Sequence, residues 1–342
     1  FREDIFMLRI LCILSFLVPA LMIQSCTTFQ HTVQRDDPLI HSIIDVSRRT
    51  AVDFDSLMAA VQDADVIYLS EKHDNHDQHQ AQKAIIRWLI DRPHPPAIGF
   101  EFFAMNDTPD LLNFIDSGTV DHPADALADI ETHLRNTLGW DTQSDVMWSY
   151  YFDLLSLARD HHLSVAGLDL SSTLKRRITR KGMAGISPIE KDQIFSTGLD
   201  NDAYQNHMYA IFKAVHCGMG NESMQSRLYD TWVARNNTMA QSITQLAAHT
   251  PGPVVVIVGG GHTEYGLGVM DRVSAINPDL RQVNVALQEI SITPQPLEAY
   301  LEPLDLEGFE PRLPADYIWF FQRQSYADPC EKFKAALKRM PH

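Results

Sequence analysis

Strand-length apolar runs that alternate with helix-length patterns, and that end on ionisable residues, limit what this chain can fold into more than any other feature. The runs Asp65–Ser70, Ala97–Phe102, Ser164–Leu168 and Val254–Gly259 are nearly continuous in apolar residues, as strands covered on both faces of a parallel sheet must be. Gln282–Gln288 and Asp316–Gln322 add two further candidates. Between them lie helical patterns such as Gln78–Asp91, Trp148–His161 and Met224–His249. Strands alternating with helices specify an α/β protein, with a mostly parallel doubly wound sheet flanked by helices. Asn106–Gly139 and Ser171–Ala248 are too long for single crossovers yet hold helical patterns. An inserted helical lid is expected from them, around residues 106–139 and 186–230. The main domain should run over 41–330, with a terminal helix over 331–342.

Ligands of open α/β sheets bind beyond the carboxyl ends of the strands, and there the chemistry collects. The first strand runs into Glu71-Lys72-His73-Asp74-Asn75, the second reaches Glu101, the third Asp169, and the fourth Gly259-Gly260-Gly261-His262. An unpaired carboxylate in an apolar strand such as that of Glu101 is costly, so Glu101 must be paired or bound. Glu71, His73, Glu101 and His262 together suit a divalent metal with open positions or an acid–base pair. Arg235, within a helical pattern, could supply a fixed charge to an anionic ligand or an oxyanion. The glycines do not follow GxGxxG, which disfavours a nucleotide site.

The chain carries a net charge of −16. Nucleic-acid binding needs a basic face and none is visible, so that class of partner is excluded. The N-terminal pattern points elsewhere. Met7-Leu8-Arg9, an apolar run from Ile10 to Ile23, and Gln24-Ser25-Cys26 have the parts of a secretory signal, and the run is too short for a spanning helix. Residues 1–25 are expected to be a signal peptide. Ile23-Gln24-Ser25-Cys26 resembles a bacterial lipobox, which would put lipid on Cys26 and make 26–40 a lipidated tether. Thr27 after the cysteine directs such a lipoprotein to the outer membrane, facing the periplasm or the surface. Cys217 and Cys330 then remain. They either form one bridge in an oxidising compartment or stay separate buried thiols.

In their order along the chain these motifs resemble the ChaN-like haem-binding lipoproteins. The likeness rests on Glu71-Lys72-His73-Asp74-Asn75 with His79 and Gln82, Glu101, Trp148–Tyr151, His216-Cys217-Gly218, Gln225, Arg235-Asn236, Met239-Ala240, Gly259–His262 and Asp328-Pro329-Cys330. Ser70, His76 and Asn236 depart from the residues usual there. The resemblance implies an α/β core with a helical lid, a role in iron acquisition, and a haem pair stacked between the subunits of a homodimer with a tyrosine oxygen on iron. Tyrosinate is a known axial haem ligand. Tyr150, Tyr151 and Tyr265 are the candidates, Tyr151 first because it matches the family's Trp-x-x-Tyr. The wider superfamily includes Tiki-type metalloproteases and erythromycin-esterase-like enzymes.

Two functions follow as expectations. The first is an envelope haem or iron handler anchored through Cys26. The second is a metal-dependent hydrolase in which Glu71, His73, Glu101 and His262 hold the ion or position water, while Arg235 stabilises an oxyanion.

Overall fold

The computed structural model describes residues 36–117, 124–194, 197–199, 201–328 and 330–331. The expected signal peptide, Cys26, most of the tether, and all but the first residue of the expected terminal helix lie outside the described residues.

Among the described residues the chain builds one sheet of eight strands, in the order β2-β1-β8-β7-β3-β6-β4-β5. The strands are β1 (Ile43–Asp45), β2 (Thr50–Val52), β3 (Val66–Glu71), β4 (Ala97–Ala104), β5 (Val165–Asp169), β6 (Val254–Gly259), β7 (Gln282–Glu289) and β8 (Tyr317–Phe321). From β8 to β5 every pairing is parallel. Only the β1–β2 hairpin and its contact with β8 are antiparallel. The six strands expected from apolar patterning are all present. The hairpin strands are three residues each, too short for a period-2 pattern to stand out.

The helices are α1 (Phe54–Val61), α2 (His76–Ile90), α3 (Thr108–Asp116), α4 (Ala124–Thr137), α5 (Asp145–Asp160), α6 (Ser172–Lys181), α7 (Pro188–Ile194), α8 (Asp202–Val215), α9 (Glu222–His249), α10 (Val269–Ile276) and α11 (Leu297–Tyr300). Alternate residues of the central strands feed two cores, because successive side chains of a strand point to opposite faces. Ile67, Leu69, Ile98, Phe100, Val255 and Ile257 pack with α1, α2, α3 and α5. Val66, Tyr68, Val254, Val256 and Val258 pack with the C-terminal half of α9 and with α10. The doubly wound expectation therefore holds.

The two long intervals differ. Between 106 and 139, Leu111, Phe114, Ile115 and Leu134 belong to the main core. The insertion between β5 and β6 takes part in two small cores, the second shared with segments that follow β6. Leu170, Ile178, Ile194 and Ala234 make one, and Tyr204, Met208, Tyr229 and Leu267 make the other, with Trp232, Tyr265 and Phe309 packed against it. Helix α9 is 28 residues long, about 42 Å at 1.5 Å per residue. Its second half can thus underpin the sheet while its first half carries side chains to the strand ends. A bridge joins Cys217, in the turn after α8, to Cys330, which settles the alternative left open by the sequence.

Candidate functional site

β3 and β5 are apolar until their last residue or two, and β4 carries Glu101 as the fifth of its eight residues, beyond the stretch that pairs with β6. Glu71 closes β3, Glu101 lies in β4, Asp169 closes β5, and His262 follows β6 in a tight turn over Gly260–His262. All four are at most 5 % exposed. The structure brings them to one edge, as their positions in the strands required.

They form two coupled groups. In the first, Glu101 accepts from Arg235 Nη2 at 2.5 Å and from the Gly259 N–H at 2.5 Å, and lies 3.3 Å from His262 Nε2. Arg235 also donates to Asp169 at 2.9 Å, and Lys175 reaches the same carboxylate at 2.6 Å. Burial alone would push the Glu101 carboxyl up. His262, Arg235 and His73 outweigh it and hold the group well below the usual carboxylate range. His262 is oriented by Asn236, whose Oδ1 lies 2.9 Å from Nδ1, and by Trp232, stacked on the imidazole at 4.2 Å and 13°.

In the second group Tyr151 donates to Glu71 at 2.6 Å and Gln82 donates to the other Glu71 oxygen at 2.7 Å. His79 is buried beside them, 3.2 Å from Glu71. His73 joins the two groups. Its Nδ1 lies 3.3 Å from Glu71, and a Cβ on Gly259 would stand 2.7 Å from its ring. Glycine at 259 is thus what lets the imidazole sit against the strand end. Burial disfavours the charged form of His73, but Glu71 and Glu101 prevail over it and raise its affinity for a proton. Protons can be exchanged along this row, and Arg235 is held between Glu101 and Asp169 beside it.

Two expectations are corrected here. Glu71, His73, Glu101 and His262 do not make a metal centre: among the described residues no group of three or more His, Cys, Asp or Glu is placed to hold an ion. The reason is local. Each oxygen of Glu71 and Glu101 is already turned to a protein partner. Tyr151, favoured as the haem ligand, is fully buried against Phe102, Phe103 and Trp140. Its hydroxyl is committed to Glu71, and burial together with that carboxylate drives its pKa far up. A ligand plane cannot reach it.

Tyr265 and Cys217 stand outside the cluster, and Tyr150 flanks it. Tyr150 is half-buried and stacks on His79 at 4.5 Å. Tyr265 is half-buried in left-handed backbone, φ 59°, which a bulky residue adopts only when its surroundings impose it. Here Tyr265 N–H donates to Pro314 O, and Arg312 clamps the next carbonyl, Gly266 O, at 3.1 Å. Among the described residues the Tyr265 hydroxyl has no hydrogen-bond partner. Burial, Glu264 and Glu302 push its pKa above the ordinary value. Its ring belongs to the aromatic cluster of Tyr204, Tyr229, Trp232 and Phe309.

A haem needs an axial ligand atom, for which a tyrosine oxygen serves, beside an apolar surface. Tyr265 supplies the oxygen, and Met270, Leu313 and Tyr317 line one cleft with it as apolar surface, so the residues present fit the group. Tyr209 of α8, edge-on to Tyr229 at 5.9 Å, belongs to the aromatic cluster that holds the Tyr265 ring. It escaped the sequence reading, as did Trp232. A helical signal existed for Trp232, because its spacing from Arg235 and Asn236 puts all three on one face of α9.

A doubly wound α/β core with a helical insertion and a buried histidine–carboxylate row at the strand ends defines the class. The family described as haem-binding uptake, Tiki superfamily, ChaN matches residues 57–273, and the chain belongs to that family. Among solved structures it is similar to ChaN of Campylobacter jejuni with cofacially bound haem. The identity is 17 %, the TM-score 0.57, and the match covers 81 % of this chain and 95 % of that one. An erythromycin esterase in its open conformation matches at 13 % identity and TM-score 0.40, over 81 % of this chain and 83 % of that one. A Bacillus cereus protein matches at 10 % and 0.43, over 78 % and 90 %. At these identities the likeness is one of fold. No curated protein matches the sequence.

Proposed function

We propose that this chain binds haem through Tyr265 and serves iron acquisition in the cell envelope. In this proposal it is held at the outer membrane by lipid on Cys26 and works as a homodimer. The family match over residues 57–273 carries the haem assignment. The free hydroxyl of Tyr265, presented on a clamped turn beside an aromatic cluster, supports that residue as the ligand. Bound there, a ferric porphyrin would supply an electron-poor metal centre for the phenol oxygen. The chain's own part is to hold Tyr265 in place and to cover one porphyrin face with Met270, Leu313 and Tyr317. The lipobox-like Ile23–Cys26 supports the anchor.

Titrating haem into the tag-free chain from residue 27 onward tests this. A saturable shift of the Soret band near one haem per chain is expected. Tyr265→Phe should weaken it at least about tenfold, while Tyr150→Phe and Tyr209→Phe should not. Unchanged binding by Tyr265→Phe would remove that residue from the site.

A second reading, metal-free acid–base hydrolysis, has one observation in its favour: His73 lies between two buried carboxylates. Hydrolysis of ester substrates by the purified chain in the presence of a chelator, lost in His73→Gln, would support it. No turnover by the wild type would end it.

A further inference from the structure

Tyr265 lines a cleft of about 590 Å³ to which the histidine–carboxylate row contributes no lining residue. Tyr265, Gly266, Met270, Arg312 and Tyr317 line it, and Arg312 is the one cation among its described lining residues. The two carboxylates in its wall are already engaged. Asp316 accepts from the Asn284 N–H, and Asp45 accepts from Ser47 and Arg48. Arg312 is half-buried. It spends Nη1 on Gly266 O and lies over the Phe309 ring at 5.5 Å. Among the described residues it makes no salt bridge, although the Asp271 carboxyl feels its charge. Its Nε and Nη2 donors are left to the cleft. A guanidinium fixed by one arm in a cleft shared with Tyr265 and Tyr317, with its other donors free, is built to take a carboxylate on two parallel hydrogen bonds.

We infer that Arg312 is the carboxylate-recognising residue of the Tyr265 cleft, and that it selects a flat aromatic ligand with free carboxylate arms over the same ligand with its arms blocked. The inference rests on the haem reading. In a chain of net charge −16, the two carboxylates of a porphyrin are repelled at long range, so a local cation is what makes them an asset rather than a penalty.

The test compares ferric protoporphyrin IX with its dimethyl ester, which keeps the ring and iron and loses both charges. Affinities are read from the Soret shift in the same detergent. Wild type should prefer the diacid by about tenfold or more, as a charge-assisted pair implies. Arg312→Ala should bind both alike. Arg312→Lys keeps a donor for Gly266 O and a positive charge but not the fork, and should fall between them. Its thermal unfolding should match wild type, which separates recognition from folding. Wild type binding both porphyrins equally, or Arg312→Lys and Arg312→Ala keeping the full preference, overturns the inference while haem binding stands. Binding of neither porphyrin by wild type overturns the haem reading and this inference with it.

Discussion

Replacing Glu101 by glutamine probes the best-defined ionic contact in the molecule. The carboxylate serves three groups at once: Arg235 at 2.5 Å, the Gly259 N–H at 2.5 Å and His262 at 3.3 Å. Removing one partner of a buried ion pair costs about 3–5 kcal/mol, because the other charge is left uncompensated. Two features move Glu101→Gln to the low end of that range. Arg235 keeps Asp169, and its side chain is 23 % exposed. Glutamine also retains one carbonyl oxygen, enough for the Gly259 N–H. A loss of about 3 kcal/mol remains, which at a urea m-value of about 3 kcal/mol/M shifts the midpoint by about 1 M at pH 7. Tryptophan fluorescence would follow the transition. The pH dependence gives a second reading of the same effect. Glu101 titrates well below its unfolded value of 4.5, so its contribution is fully present above that value. It is lost as pH falls through the lower, folded value. The gap between wild type and variant should therefore narrow on acidification below about pH 4.5. Coincident midpoints at pH 7, or a gap that persists undiminished in acid, would refute the assignment of Glu101 as a buried ionised hub.

Tyr151→Phe removes a buried donor from Glu71 and should cost about 1–3 kcal/mol of stability while leaving the haem Soret shift in place; loss of haem binding in a folded Tyr151→Phe protein would restore that tyrosine as a ligand. Ligation requires the Tyr265 phenol to give up its proton, and that phenol titrates above its ordinary value of 10. Haem affinity should accordingly rise with pH across 6 to 9, by up to about tenfold per unit, and a flat profile in stopped titrations would contradict tyrosinate ligation. Cys217 and Cys330 are 113 residues apart in sequence, a loop whose closure in the unfolded chain is worth up to about 5 kcal/mol. Cys217→Ser should lower the thermal midpoint by several degrees, and reduction of the wild type should reproduce the shift.

Much of the architecture was written in local pattern. Continuous apolar runs of five or six residues can be satisfied only when both faces of a strand are covered, which is why β3, β4, β5 and β6 were legible. An ionisable residue at the end of such a run has nowhere to go except the sheet edge, which is why Glu71, Glu101, Asp169 and His262 could be placed together. The edge hairpin was not legible. Ile43–Asp45 and Thr50–Val52 are too brief to show a period, and they exist as strands because β8 offers them an edge to pair with.

The chain's sequence by itself determined the doubly wound layout and which residues would gather at the rim. Periodicity and strand-end position are local properties, and they survive without coordinates. Only tertiary structure decided what those residues are free to do. The pairing of Glu71 with Tyr151 and of Glu101 with Arg235 joins positions 80 and 134 residues apart. That pairing consumes the carboxylate oxygens a metal would need, and it buries the tyrosine that the motif favoured. Tyr265, by contrast, is left with an open hydroxyl because a left-handed turn and two backbone clamps from 46 or more residues downstream hold it at a cleft. Sequence spacing carries no record of contacts at such range.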